Sequence, residues 1–311
     1  MDFGLILPTL GKGAGPEGLD AAAETADRLG WSSVWVTDHM LVGRGAEAGE
    51  YGWILEALTS LAWVGARHPR LRLGTSVVIP AMRDAPQLAK ELATIDLLSG
   101  GRLTVGVGVG DRGDAPEWQN LGKVERMSVR GAYLDETIAL WRHLWGGSTE
   151  PFVGAFHRLE SYVFAPLPAQ GAHLPIWSGG RSDRAVVRAA TLTDGYHASQ
   201  TSPDDLRGRL PVLFEKSRAA GRPRPSISIR ARVRFGERHG STYALAGSAR
   251  EMIADLDAFD QLGVDHMIVV LGAVWADEAA ASVQRFDREI VQPWREGARE
   301  RAEALREQSS M

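Results

Sequence analysis

The sequence contains no cysteine among its 311 residues. This absence excludes disulfides, thiolate metal sites and cysteine nucleophiles, so any redox chemistry requires a bound cofactor. The eight histidines show no HExxH or comparable spacing, and we predict no metal site. A G-x-S-x-G segment is also lacking, so the sequence gives no support for serine hydrolysis.

Long apolar runs and a strong charge excess are absent as well. No stretch reaches the roughly 18 apolar residues of a membrane span, and the apolar run at the N-terminus is too short for a signal peptide and has no basic residues before it. The formal net charge of -4 gives no electrostatic reason to expect nucleic acid or a membrane as partner. We expect a cytoplasmic protein whose partner is a small-molecule substrate.

The sequence does contain a regular alternation of apolar strands and helices. Eight strand-helix units predict a (β/α)8 TIM barrel, an α/β fold, formed by a single domain over residues 1–311. The predicted strands cover residues 3–7, 34–37, 71–78, 103–107, 174–178, 195–198, 227–235 and 266–271. We also predict an insertion at 146–165 after the fourth helix, with a β-hairpin over 152–164, and a charged C-terminal helical tail over 293–311.

Three glycines follow one another at alternate positions where the fourth strand ends. Gly106, Gly108 and Gly110 remove side chains at a point where a flat or bulky group must approach the backbone, and Asp111 comes directly after them. The segment formally matches the G-x-G-x-x-G dinucleotide fingerprint, but Pro116 lies where that motif needs a helix. We therefore reject a nicotinamide site and predict that a planar ring lies against this strand.

The second strand ends in a pair of residues suited to proton transfer. We predict that His39 gives or takes a proton near neutral pH and that the neighbouring Asp38 orients its ring. The alternative is a histidine that only caps the following loop. In a TIM barrel this pair would lie at the mouth, because the C-terminal ends of all strands converge there.

The fifth strand ends in a segment typical of a phosphate site. Gly179 and Gly180 precede Ser182, the predicted N-cap of a helix, so backbone N–H groups point at one spot, and Arg181 adds a bidentate donor. The alternative is an ordinary helix start. Among the ten tryptophans we keep Trp118 and Trp177 as ring or substrate contacts. The others that fall on strands or helices are assigned to the core: Trp35, Trp63, Trp141 and Trp145.

Several of these segments occur together, and in the same order, in a known family. The segments at 3–8, 30–39, 93–103 and 175–182, followed by Ala190 and Asp194-Gly195, resemble the bacterial luciferase-like superfamily over nearly the whole chain. The resemblance implies a (β/α)8 barrel that holds reduced FMN or the deazaflavin coenzyme F420 at its mouth, and it is closest to the F420-dependent branch. The family's usual homodimer is the expected assembly.

The resemblance also implies roles for individual residues. His39 matches the histidine near the reactive ring carbon, and Ser76-Val77 matches a non-prolyl cis peptide that supports the rear face of the ring. Asp111 falls where some relatives have an acidic proton donor, and Gly179, Gly180 and Arg181 match the phosphate loop. The cysteine that some alcohol-oxidising relatives carry is missing, which argues against alcohol oxidation with that arrangement.

Three functions remain open at this point. The first is hydride transfer between F420 and a small organic substrate, with His39 as the proton donor or acceptor. The second is an FMN-dependent monooxygenase that uses oxygen, and the third is a catalytically silent barrel that merely binds flavin or a partner. The substrate and the direction of hydride transfer are not readable from the residues.

Overall fold

The computed structural model describes residues 1–44, 48–111, 113, 115–236, 240, 242–272 and 275–309. Its strands are β1 (Asp2–Ile6), β2 (Ser33–Val36), β3 (Arg72–Thr75), β4 (Leu103–Val107), β5 (Phe152–Val153), β6 (Arg158–Leu159), β7 (Ile176–Gly179), β8 (Gly195–Ser199), β9 (Ser226–Phe235), β10 (Leu245–Gly247) and β11 (His266–Val270). Its helices are α1 (Pro16–Arg28), α2 (Ala48–Tyr51), α3 (Ala57–Arg67), α4 (Ala85–Leu98), α5 (Ala115–Asn120), α6 (Arg130–Trp145), α7 (Asp183–Thr191), α8 (Pro203–Ala219), α9 (Ala249–Gln261), α10 (Ala276–Phe286) and α11 (Gln292–Ser309).

Eight parallel strands form a closed barrel. Around the barrel the order is β1, β2, β3, β4, β7, β8, β9 and β11, and β11 pairs with β1 to close the ring. The short strand β10 pairs in parallel with the far end of β9. The predicted (β/α)8 fold is confirmed, and its strand ends therefore meet at one mouth.

Local signals in the sequence explain how the fourth strand is reached. The side chain of Asp84 caps α4 by accepting a hydrogen bond from the N–H of Gln87 at 3.0 Å. Gly100 and Gly101, with φ of 69° and 80°, then turn the chain out of α4 in a conformation that favours glycine. Strand β4 has the predicted bounds.

The additions to the barrel differ from the predictions in extent. The hairpin within the insertion consists only of β5 and β6, which pair in antiparallel fashion over two residues each. The excursion over 110–127, predicted to be mostly irregular, contains α5 and a 3-10 turn at Val124–Arg126. The tail is helical to Ser309, and residues 310 and 311 lie outside the described part. Within that part, no helix is long and apolar enough to cross a membrane.

Two indole rings fill the barrel interior. Trp35 and Trp177 stack with ring centroids 5.4 Å apart. A Cβ atom at Gly74 would lie 2.1 Å from the Trp35 ring, and one at Gly195 would lie 2.4 Å from Trp177, so these glycines make room for the stack. At this level the barrel interior is a packed core.

Three of the four tryptophans assigned to the core are buried as predicted: Trp35, Trp141 and Trp145. The assignment of Trp63 is wrong, because its ring is exposed on α3 and lies under the guanidinium of Arg67.

Candidate active site

A cavity of about 340 Å³ opens at the C-terminal end of the barrel. It is bounded by residues at the ends of β2, β3, β4, β7, β8 and β9. The lining residues are His39, Val42, Ser76, Val77, Ile79, Gly108, Val109, Gly110, Asp111, Gly179, Gly180, His197, Ser199 and Arg230. Residues predicted from four separate strand ends thus face one space.

His39 is held by a buried carboxylate from the excursion after β4. Its Nδ1 lies 2.8 Å from Oε2 of Glu117, which is 1% exposed. Oε1 of Glu117 accepts hydrogen bonds from the N–H groups of Met40 at 2.5 Å and Leu41 at 3.0 Å. Burial raises the pKa of Glu117, but the hydrogen bonds from His39 and the two N–H groups outweigh it and hold the pKa below its ordinary value. Glu117 is therefore ionised and accepts a hydrogen bond from Nδ1–H.

The predicted partner of His39, Asp38, points elsewhere. Its carboxylate pairs with Arg83, with Nη2 2.5 Å from Oδ1 and Nε 3.0 Å from Oδ2, and it accepts a hydrogen bond from the N–H of Ile79 at 3.2 Å. Neighbouring residues at a strand end project to opposite sides, so Asp38 is buried beside the segment after β3 while His39 faces the cavity. The prediction that Asp38 orients His39 is wrong, and the sequence analysis missed Glu117.

The segment after β3 contains a cis peptide bond between Ser76 and Val77, as the resemblance implies. Two of the predicted glycines make room for this segment. A Cβ at Gly106 would lie 2.0 Å from the carbonyl oxygen of Thr75, and one at Gly108 would lie 2.5 Å from Cγ2 of Val77. The prediction that Gly106 exposes its strand to a ring is therefore wrong, because the backbone of β3 fills that position; Gly108 and Gly110 do line the cavity.

A histidine that the sequence analysis did not use forms part of the cavity floor. His197 is fully buried, with Nε2 2.8 Å from Oγ of Ser76 and Nδ1 2.7 Å from Oγ of Ser228. Burial, followed by the charge of Arg230, lowers its pKa to about 3. A neutral imidazole between two hydroxyl groups thus fixes the position of Ser76. Arg230 itself reaches Oγ1 of Thr37 with Nη2 at 3.2 Å.

Part of the predicted phosphate turn lines the same cavity. Gly179 and Gly180 line it, and Gly180 has a φ of 131° that favours glycine. Ser182 is the N-cap of α7 as predicted, because its Oγ accepts a hydrogen bond from the N–H of Ala185 at 3.3 Å. Arg181 lies between Gly180 and Ser182, and its side chain is exposed. The positive end of the α7 dipole therefore lies beside two glycines and a guanidinium.

The remaining predicted site residues are divided between the cavity and the core. Asp111 lines the cavity, and its Oδ1 accepts a hydrogen bond from the N–H of Gly113 at 3.2 Å. Trp177 is not among the lining residues, since its ring lies deeper, stacked on Trp35. Trp118 is fully buried on α5 in a cluster with Ile79 and Met82. The predicted roles of both rings as ligand contacts are wrong for this structure.

Comparison with known proteins agrees with this geometry. A model of the luciferase-like monooxygenase family matches residues 1–309. The chain belongs to this family. Among the described residues, no group of three or more histidine, aspartate and glutamate side chains is arranged to hold a metal ion.

Similar proteins of known sequence or structure have the names of dehydrogenases. The F420-dependent glucose-6-phosphate dehydrogenase of Kineococcus radiotolerans is 30% identical over 221 residues, which cover 69% of this chain and 63% of that protein. The match to the Amycolatopsis mediterranei enzyme of the same name covers 49% of its length, so the chain spans less than two thirds of these relatives. A solved F420-dependent secondary alcohol dehydrogenase, bound to an F420-acetone adduct, shares the fold with a TM-score of 0.76 and 18% identity, covering 93% of this chain and 98% of that one.

Proposed function

We propose that this protein is an F420-dependent oxidoreductase that transfers a hydride between the deazaflavin ring and a small organic substrate. One observation carries the proposal: His39, which is held by Glu117, and the Gly179–Gly180 turn line the same cavity. The names of the relatives support F420 as the cofactor. The structure is of the chain alone, so the fit of its residues to F420 is the relevant test.

The cavity residues suit a planar ring with an anionic arm. Val77 packs against Gly108 and Gly179. A Cβ at Gly108 would lie 2.5 Å from Cγ2 of Val77, and one at Gly179 would lie 3.1 Å from its Cγ1, so the two glycines let Val77 lie close to β4 and β7. The turn before α7 offers backbone N–H groups and Arg181 to a phosphate, as helix N-termini commonly do. We infer that Val77, Gly108 and Gly179 hold the ring and that Gly180 and Arg181 hold the phosphate.

The chain itself supplies proton transfer and orientation. The deazaflavin, when bound, supplies the hydride donor or acceptor. With Nδ1 engaged by Glu117, proton exchange between His39 and a substrate uses Nε2. The ionised Glu117 fixes the ring and stabilises its positive charge when Nε2 takes a proton. Asp111 lines the same cavity, and we propose it as a second acidic group there.

An FMN-dependent monooxygenase is the second candidate. Its support is the family description and a monooxygenase from Streptomyces bottropensis that shares the fold with a TM-score of 0.74 and 22% identity over 94% of this chain. The phosphate turn fits FMN as well as F420, because each has a phosphate next to its ribityl chain. The two functions differ in cofactor and not in architecture.

Parallel fluorescence titrations with F420 and with FMN decide between these functions. We expect F420 to bind in the micromolar range or tighter and FMN to bind much more weakly. Tight binding of FMN alone would favour the monooxygenase, and binding of neither would favour a catalytically silent barrel. Gly180→Ala should weaken binding of the cofactor, because Gly180 lines the cavity and has a positive φ that alanine rarely adopts. Gly208→Ala is the control, because Gly208 has open space around its Cβ position.

We further propose that the protein acts as a cytoplasmic homodimer. Analytical ultracentrifugation tests the assembly, and fractionation of the source cells tests the location. A monomer at micromolar concentration would contradict the first expectation, and recovery outside the cytoplasm would contradict the second.

A further inference from the structure

A buried tyrosine lies behind the phosphate turn, the segment over 179–182. Tyr196 is the second residue of β8 and is fully buried. Neighbouring side chains of a strand project to opposite faces, and the next residue, His197, faces the barrel interior, where its ring stacks on Trp35. Tyr196 therefore points outward, to the face of the barrel strands on which the helices pack.

The hydroxyl of Tyr196 holds one peptide group of this turn. Its Oη donates a hydrogen bond to the carbonyl oxygen of Gly180 at 3.0 Å. Burial raises the pKa of Tyr196, so the hydroxyl keeps its proton around neutral pH. Oη also accepts a long hydrogen bond of 3.4 Å from Nη1 of Arg209 on α8, and the same Nη1 donates to Oγ1 of Thr201 at 3.0 Å. A guanidinium, a hydroxyl and a carbonyl thus form a hydrogen-bond chain that ends at Gly180.

The orientation of this peptide group determines where the next N–H points. The carbonyl of Gly180 and the N–H of Arg181 share one trans peptide plane, in which the two bonds point in opposite directions. With the carbonyl turned toward Tyr196, the N–H of Arg181 points away from it. Gly180 lines the candidate active-site cavity, and the described residues around that cavity do not include Tyr196. The hydrogen bond thus turns the N–H of Arg181 away from the outer side of the strands.

The N–H groups of this turn are available to a ligand. Within the part of the chain that the structure describes, the N–H groups of Arg181 and Ser182 donate no hydrogen bond to another protein group. Such N–H groups at the start of a helix are the donors that bind phosphate in proteins. Hydrogen bonds in a chain polarise one another, so the bond from Tyr196 also strengthens the N–H of Arg181 as a donor.

We propose that Tyr196 is a positioning residue for the cofactor's phosphate. Its hydroxyl fixes the peptide between Gly180 and Arg181, so that the N–H of Arg181 is presented to the phosphate. The inference rests on the proposed function, in which this turn binds the phosphate. A hydroxyl that only satisfied its own burial would change the folding free energy, but not the preference of the protein for ligands with a phosphate over ligands without one.

Fluorescence titrations of Tyr196→Phe with F420 and with its fragment FO measure that preference. FO keeps the deazaflavin ring and the ribityl chain but lacks the phosphate and the chain attached to it. Removing the hydroxyl should weaken F420 binding about 3- to 10-fold, the range for one hydrogen bond, and leave the affinity for FO unchanged. Equal effects on the two ligands, or no effect on either, would overturn the positioning role.

Tyr162→Phe is the matched control. The hydroxyl of Tyr162 also donates to backbone carbonyls, those of Ser148 at 3.1 Å and Glu150 at 2.9 Å. These residues lie in the insertion, which contributes no described residue to the candidate active-site cavity. We expect the affinities of this variant for F420 and FO to equal those of the parent. A loss of F420 affinity as large as that in Tyr196→Phe would contradict the proposal.

A second pair of variants tests the same hydrogen-bond chain, should Tyr196→Phe fail to fold. Arg209→Met removes the donor behind the hydroxyl, and Arg207→Met removes an exposed arginine of the same helix that pairs with Asp204. Arg209→Met should weaken F420 binding more than FO binding, whereas Arg207→Met should change neither. Circular dichroism shows which variants are folded. Equal F420 affinities of the two arginine variants would overturn the proposal.

Titrations of the parent separate this inference from the proposed function. If the parent prefers F420 to FO and Tyr196→Phe keeps that preference, the positioning role alone is removed. Equal binding of F420 and FO by the parent would remove the phosphate site, and this inference with it, but leave F420 as the cofactor. If the parent binds FMN better than riboflavin and does not bind F420, the proposed cofactor is wrong, and titrations of the same variants with FMN and riboflavin decide the role of Tyr196. Binding of none of these ligands would remove both proposals.

Discussion

The imidazole of His39 is the group we expect to move a proton during turnover. Replacing His39 with Ala should lower kcat about 10²- to 10⁴-fold, the usual contribution of a general acid or base. The affinity for the cofactor should change little, because the proposed ring and phosphate contacts follow β3 and β4 or lie at the end of β7 and in the turn before α7. Steady-state kinetics and a cofactor titration measure the two quantities. A fully active variant would refute the role.

The two carboxylates near β2 have separate roles that matched substitutions can distinguish. Glu117→Gln keeps the shape of the side chain but removes the charge beside His39. We therefore expect a lower kcat and a pH optimum at lower pH, since a neutral amide stabilises the imidazolium of His39 less.

Asp38→Asn breaks the buried ion pair with Arg83. It should cost about 3 kcal/mol or more of folding free energy without moving the pH optimum. Urea unfolding and pH-rate profiles measure both. A shifted optimum in Asp38→Asn would contradict the assignment.

Two buried histidines should make the fold sensitive to mild acid. Burial lowers the pKa of His197 to about 3 and that of His266, which is bonded to Oγ of Ser33, to about 4. Because the unfolded value is near 6.5, the unfolded chain binds more protons, and this part of the stability is present above pH 6.5 and lost as the pH falls toward 4. Each histidine should lower the free energy of unfolding by up to about 1.4 kcal/mol for each unit by which the pH falls in this range.

Urea unfolding between pH 4.5 and 6.5 measures that slope. Burial also lowers the pKa of His157, which contributes to the same slope. The His197→Asn variant lacks one of these three titrating groups, so its slope should be smaller by the share of one histidine. An unchanged slope would mean that His197 is not held neutral in the folded chain.

Among single site residues, the sequence predicted those that can be recognised from their neighbours in the chain. His39, Ser76-Val77 and the Gly179–Gly180 turn follow directly from strands and could be recognised from their neighbours in the chain. Glu117 acts on His39 across 78 positions, and no local pattern connects the two. His197 likewise acquires its role only from contacts with β3 and β9.

The turn that precedes α7 is the element we expect to bind the cofactor's phosphate. Arg181→Ala should weaken binding about 5- to 100-fold, the range for loss of a charge-assisted hydrogen bond of about 1 to 3 kcal/mol. Arg184→Ala is the matched control, because Arg184 is an exposed arginine of the same helix that lines a different cleft, beside Asp135. Equal affinities of the two variants in a fluorescence titration would remove Arg181 from the site.

Helix α5 begins with a turn that contains a proline, which in the sequence argues against a helix after β4. Pro116 is the second residue of α5, in the first turn, where the missing N–H has no partner to lose. The helix then buries Glu117 and Trp118 on its inner side. By contrast, β4 was predicted with its observed bounds because glycines precede it and a continuous apolar run forms it.

For the whole molecule, the alternation of strands and helices was sufficient to predict the barrel, since parallel strands joined by helices have few ways to close. The set of strand ends that lines each cavity was not predictable, because it depends on which strand ends become neighbours when the barrel closes. β1 and β11 belong to opposite ends of the chain and line one cavity of about 590 Å³ at the rim only because they pair.

An aromatic contact also joins the two ends of the chain. Trp294 of α11 is 4% exposed and packs edge-on against Phe3 of β1, with ring centroids 5.5 Å apart. Trp294→Ala should cost about 3 to 5 kcal/mol of folding free energy, as expected for a large ring removed from a core. Trp275→Ala, at a position that is 59% exposed, should change stability by about 0.5 kcal/mol or less.

Urea unfolding of both tryptophan variants measures these costs, and a cofactor titration accompanies it. Phe3 lies near the beginning of β1, at the end of the barrel away from the mouth. The folded Trp294→Ala protein should therefore bind the cofactor with unchanged affinity while unfolding at lower urea. Equal stabilities of the two variants would show that the C-terminal helix does not secure the closure between β1 and β11.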